Sequence, residues 1–133
     1  MFSKKSSKPP SRIDSLIGAG TTVEGNVLFS GGLRVDGQIR GNVLTADDKP
    51  SSLVMSEQAG IEGEISVSFA VINGRVVGTV RAGNHLELQS KANVTGDVHY
   101  KTLEVHLGAV VQGRLVYQDG EKSDKVVAFK PAG

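Results

Sequence analysis

The chain has 133 residues, enough for one domain. It contains no Cys, which excludes disulfides, thiolate metal sites and a cysteine nucleophile; 17 Gly against 4 Pro, with 5% aromatics, fit many short strands and tight turns. Formal net charge is +1, yet four of the 15 basic side chains and none of the 14 acidic ones fall in residues 1–12, which leaves the rest at −3 without the basic stripe of a nucleic-acid groove.

The chain opens on Met1-Phe2-Ser3-Lys4-Lys5-Ser6-Ser7-Lys8-Pro9-Pro10. This stretch is too polar and Pro-rich to join a core, so residues 1–12 are expected to form a disordered basic tail. No apolar region follows the lysines, so no secretory signal is expected, and Phe at position 2 excludes myristoylation. No apolar run reaches the length of a membrane-spanning helix. A cytoplasmic location is therefore expected. The tail reads either as a solubilising arm or as a membrane foot made of Met1, Phe2, Ser3, Lys4, Lys5 and Lys8. Each Lys near anionic lipid contributes about 1 kcal/mol, and one inserted Phe about 1.5–3 kcal/mol. A single tail would hold transiently; many tails on one polymer would hold by avidity.

Residues 13–117 carry a repeat. Ala92-Asn93-Val94-Thr95-Gly96-Asp97-Val98 matches Ala109-Val110-Val111-Gln112-Gly113-Arg114-Leu115, 17 positions on, and Ala59-Gly60-Ile61-Glu62-Gly63-Glu64-Ile65, 33 positions back. Leu86-Glu87-Leu88 recurs at the same offsets as Leu103-Glu104-Val105 and Leu53-Val54-Met55. The reference glycines Gly25, Gly41, Gly63, Gly78, Gly96 and Gly113 are spaced 16, 22, 15, 18 and 17 apart. Ala46-Asp47-Asp48-Lys49-Pro50-Ser51-Ser52 accounts for the long interval as an inserted surface loop. Strand alternation puts Val23, Gly25 and Val27 on one dry face, with Gly in its middle, and Glu24 and Asn26 on a wet one.

Such short strands bury their apolar face only by stacking coil on coil. About 17 residues per coil leave three strands and three corners. The expected fold is all-β: a right-handed, three-sided parallel β-helix (a solenoid) of about six coils, roughly 30 Å tall, with disordered N- and C-terminal tails. The right hand is expected because left-handed hexapeptide helices keep a strict six-residue beat, which is absent here. No segment sustains a 3.6-residue apolar period, so no core helix is expected.

The two ends of such a helix are open edges that recruit another chain unless covered. Ile13, Leu16 and Ile17 mark the first coil, and Leu115, Val116 and Tyr117 the last. Residues 118–133 form a C-terminal tail in which Val126, Val127 and Phe129 follow a polar turn. These nine side chains are the candidate polymer interface; the alternative is that they close the ends within one subunit.

The chain resembles the bactofilins, a family of bacterial cytoskeletal proteins. Met1-Phe2-Ser3-Lys4 carries the likeness in the tail. Ile17-Gly18-Ala19-Gly20-Thr21-Thr22-Val23-Glu24-Gly25-Asn26-Val27 and Leu33-Arg34-Val35-Asp36-Gly37-Gln38-Ile39-Arg40-Gly41-Asn42-Val43 carry it in the repeat. Asn73-Gly74-Arg75-Val76-Val77-Gly78-Thr79-Val80 and Val94-Thr95-Gly96-Asp97-Val98 continue the pattern. The resemblance implies a β-helix subunit that self-assembles head to head and tail to tail into non-polar filaments, without nucleotide. It implies attachment to anionic lipid at the inner face of the cytoplasmic membrane. It also implies a scaffold for cell-wall synthases or hydrolases, with influence on cell shape.

No P-loop pattern and no Rossmann glycine fingerprint is present. No catalytic, cofactor or metal site is expected. His85, His99 and His106 lack a metal-site motif, and His99 and Tyr100 are expected at a solvated or corner position. Glu62 and Glu64 share one strand face, but a convex coil is not a cleft that separates carboxylate pKa values. The competing readings are a hexapeptide-type acyltransferase with one of the histidines as base, and a monomeric β-helix module that binds carbohydrate or protein.

Overall fold

Runs of β-branched and aliphatic residues, cut every few positions by glycine and polar corners, make strands mostly three or four residues long. The computed structural model describes residues 12–118 and stacks these strands in parallel, with no helix among the described residues. The first coil holds β1 (Ser15–Ile17), β2 (Thr22–Glu24) and β3 (Val27–Phe29). The second holds β4 (Gly32–Val35), β5 (Gln38–Arg40) and β6 (Val43–Thr45). The third runs through β7 (Ser52–Met55), β8 (Gly60–Glu62) and the start of β9 (Ile65–Ile72). The fourth takes the end of β9, then β10 (Arg75–Val77) and the start of β11 (Val80–Leu88). The fifth takes the end of β11, β12 (Asn93–Thr95) and β13 (Val98–Tyr100). The sixth consists of β14 (Leu103–Val105), β15 (Val110–Gln112) and β16 (Leu115–Tyr117).

Three columns of strands result, giving the expected three-sided parallel β-helix of about six coils. Side 1 stacks β1, β4, β7, the ends of β9 and β11, and β14. Side 2 stacks β2, β5, β8, β10, β12 and β15. Side 3 stacks β3, β6, the starts of β9 and β11, β13 and β16.

Parallel register turns the sequence repeat into columns of like residues. Val35, Met55, Ile72 and Leu88 stack inside side 1; Ile39, Ile61, Val76 and Val94 inside side 2; Val43, Ile65, Val80 and Val98 inside side 3. Each of these twelve side chains is at most 1% exposed. Burying one such side chain stabilises by roughly 1.5–3 kcal/mol.

One sequence expectation is corrected. The V-x-G-x-V motif is not one strand: Val23 ends up on β2, Val27 on β3, and Gly25 forms the corner between them. Both valines point inward, as the alternation requires, but the glycine lies outside the core. The six reference glycines stack into a column at this corner, where Gly78 (φ 146) and Gly96 (φ 144) take backbone that L side chains rarely adopt. A Cβ on Gly96 would run into the Gly78 carbonyl oxygen. The neighbouring asparagines tie the corner down. Asn42 N–H donates to Asn26 Oδ1 (2.8 Å), and Glu64 N–H donates to Asn42 Oδ1 (2.9 Å).

The inserted loop lies between β6 and β7, with Ala46 to Pro50 exposed. Ser51 and Ser52, placed in that surface loop by the sequence, are instead buried at 1% and 8% exposure. Ser51 N–H donates to Ser68 Oγ and Ser68 N–H to Ser51 Oγ, both at 3.1 Å, which seals the loop's return into the helix.

Candidate functional site at the open ends

An interior strand is paired on both edges; a strand of the first or last coil is paired on one. The N–H and C=O groups on its other edge face outward, ready to pair with another chain. The side chains follow the same logic. Leu86, Leu88, Val94 and Val98 in the fifth coil are 0% exposed. Their register partners in the sixth are Leu103, Val105, Val111 and Leu115. Of these, Val105 is 49% and Leu115 51% exposed, and the other two are half-buried. Tyr117 is 63% exposed and stands edge-on to Tyr100, ring centroids 6.1 Å apart. Leu107, at the corner between β14 and β15, is 95% exposed. Among the described residues, the C-terminal end is thus a cross-section of the core.

The N-terminal end is more polar. Ser15 stacks where the next coils carry Leu33 and Leu53, and Ile17, Val23 and Val27 are half-buried. Asp14 accepts from the Gly32 N–H (2.9 Å) and pairs with Arg12 (3.1 Å) at this rim.

The expected interface residues divide accordingly. Ile17, Leu115 and Tyr117 extend inward columns, and Ile13 is an exposed residue just before β1. Leu16 stacks with Arg34, and Val116 with His99, so both belong to the outer walls. Val126, Val127 and Phe129 lie outside the described residues, as do Met1, Phe2, Ser3, Lys4, Lys5 and Lys8. The sequence reading missed Val105, Leu107 and Val111 at the C-terminal end and Val23 and Val27 at the N-terminal end. The 17-residue offset between Leu86-Glu87-Leu88 and Leu103-Glu104-Val105 already held the signal: a copy of a core strand with no copy after it.

The outer walls are dressed with charges that mostly satisfy each other between coils. Arg40 pairs with Glu24 (3.3 Å) and Arg75 with Glu62 (3.5 Å) on side 2, while Arg81 pairs with Glu64 and Arg114 with Asp97 near side 3, both at 2.8 Å. The hydrogen-bonded Arg114 guanidinium holds the Asp97 carboxyl below the usual carboxylate range. His99 is on β13 and half-buried rather than solvated; burial, then the charge of Arg81, pushes its pKa down. These pairs lie on the outward faces of the strands, while Arg12, Asp14, Leu28, Asp47 and Lys49 line an open pocket between the N-terminal rim and the inserted loop.

A family model described as bactofilin, polymer-forming cytoskeletal, matches residues 15–116, from the first residue of β1 to the middle of β16. Bactofilin BacP of Myxococcus xanthus (strain DK1622) is 23% identical over 133 residues, which is 99% of this chain and 53% of that protein. Bactofilin BacO of the same organism is 24% identical over 102 residues, 77% of this chain and 78% of that protein. The chain therefore spans about half the length of BacP. No solved structure matches it.

Proposed function

The chain belongs to the bactofilin family of polymer-forming cytoskeletal proteins, and on that premise we propose that it polymerises through its end coils, without nucleotide, into non-polar filaments at the inner face of the cytoplasmic membrane. The observation that carries this reading is the sixth coil. It repeats the fifth residue for residue in register, yet leaves its core side chains half open to solvent. A second copy stacked on that coil would return Val105, Leu115 and Tyr117 to the environment their counterparts have one coil earlier.

Non-polar growth is favoured by the unlikeness of the two ends. An apolar rim complements another apolar rim through a two-fold axis, whereas the N-terminal rim offers Ser15 and the Arg12–Asp14 pair. Nucleotide independence is favoured by the lack of any P-loop pattern in the sequence. The basic tail, multiplied along a filament, is the proposed lipid contact. The charged walls, left free by end-to-end growth, are the proposed docking faces for cell-wall synthases or hydrolases.

The chain has no cysteine, so a single Leu107→Cys substitution reports polarity cleanly. A tail-to-tail junction places both thiols in the same interface, where a short bis-maleimide cross-linker yields linked dimers. Head-to-tail stacking keeps them a subunit length apart, about 29 Å for six coils at ~4.8 Å each, and yields only monomer on a denaturing gel.

A further inference from the structure

We infer that Glu87, Glu104 and His106 form a divalent transition-metal site that fastens the last coil to the one before it. The parallel register of β14 on β11 sets Glu104 directly beside Glu87 on the outer wall of side 1. Like charges in that position repel. Elsewhere the register pairs acid with base, as in Glu24 with Arg40 and Arg40 with Glu62. Glu87 and Glu104 are the one register pair of like charge among the described residues, so this spot calls for a cation.

His106 follows β14 and turns back over both carboxylates. Its Nε2 lies 3.0 Å from Glu87 Oε2 and 3.2 Å from Glu104 Oε2. One ring nitrogen carries at most one hydrogen, so it cannot serve two carboxylates as a full donor. A metal ion can serve all three. Ligand atoms bound tetrahedrally at about 2.0–2.2 Å from zinc stand roughly 3.3 Å apart, close to the spacing found here. The three donor atoms lie within 4.8 Å of one another. Imidazole with two carboxylates suits Zn²⁺, Co²⁺ or Mn²⁺ rather than Ca²⁺, and leaves further positions for water. The Gln89 amide donates to Glu87 Oε2 (3.1 Å) and orients that carboxylate. The sequence reading expected no metal site, and Glu87 lies one repeat away from Glu104 and His106. Only the coil stacking brings the three together.

The test is a calorimetric titration of Zn²⁺ into the full chain, without an affinity tag, at pH 7.5. One site per chain is expected, weakened at least tenfold in His106→Ala and in Glu87→Gln, and unchanged in His85→Ala and His99→Ala. Zinc should raise the thermal midpoint of the parent chain and not of these two weakened variants, and Co²⁺ should give visible absorption bands lost in His106→Ala. The Gln variant is isosteric and sits on the outer wall rather than in the core, so it keeps the test valid if His106→Ala disturbs folding. Absence of binding at millimolar zinc, or undiminished binding in Glu87→Gln, would overturn the inference.

Discussion

At the N-terminal end the first coil sets a serine over the Leu33 column and an Arg12–Asp14 pair on the rim. At the C-terminal end the sixth coil continues the columns with Leu103, Val105, Val111 and Leu115 and adds exposed Tyr117 and Leu107. The repeat that fills the interior with like residues thus makes two unlike ends. On the proposed end-to-end assembly, the stronger association surface is where the repeat continues to the last coil, and the weaker is where polar residues interrupt it.

The largest effects should separate interior from end within one column. Leu86→Ala opens a fully buried site and should cost about 2–5 kcal/mol, read as a lower denaturant midpoint. Leu103→Ala, its register partner in the last coil, should cost well under half of that. Equal costs would mean that the sixth coil is already covered within the monomer. In the glycine column, Gly78→Ala combines a positive φ (146) with a clash against the Gly63 carbonyl. It should cost on the order of 3 kcal/mol, again seen in the denaturant midpoint.

Assembly should break unequally. Leu115→Arg should abolish pairing at the C-terminal end while leaving the far-UV circular dichroism unchanged. Ile17→Arg should leave dimers joined at that end, resolved by analytical ultracentrifugation. Dimers in Leu115→Arg and monomers in Ile17→Arg would reverse the ranking of the ends. Removal of residues 1–8 should spare polymerisation and abolish co-sedimentation with anionic liposomes; equal sedimentation of both chains would dismiss the tail as the lipid contact.

The smallest effect is a pH dependence. The folded-state pKa of His99 is depressed, chiefly by burial. Its neutral form is therefore favoured in the folded chain. Stability is full above the unfolded value near 6.5 and declines as pH falls from there through the folded value. His99→Gln should flatten the thermal midpoint between pH 7 and pH 5; an unchanged slope would assign that dependence to other groups.

Much of the fold was legible because a β-helix writes its contacts into the sequence at a fixed offset. The pairing of Leu86-Glu87-Leu88 with Leu103-Glu104-Val105, read as a repeat, is the register of β11 on β14. The glycines were found but misplaced. Period-2 reasoning sees that Val23 and Val27 face the same way, and it does not see that the chain turns a corner between them. The ends were legible only in part. Leu16 and Val116 are apolar and terminal, yet their direction depends on strand phase, which puts them on outer walls. Ser51 looked like loop because it is held inside by reciprocal backbone N–H to Oγ bonds with Ser68, one coil away.

Electron cryomicroscopy of the purified chain, with neither nucleotide nor metal added, tests the central claim most directly. The account predicts filaments one β-helix wide, the strand spacing of ~4.8 Å running along the filament axis and one subunit every ~29 Å. Discrete monomers or trimers, or filaments whose coil axis lies across the fibre, would contradict assembly through the end coils.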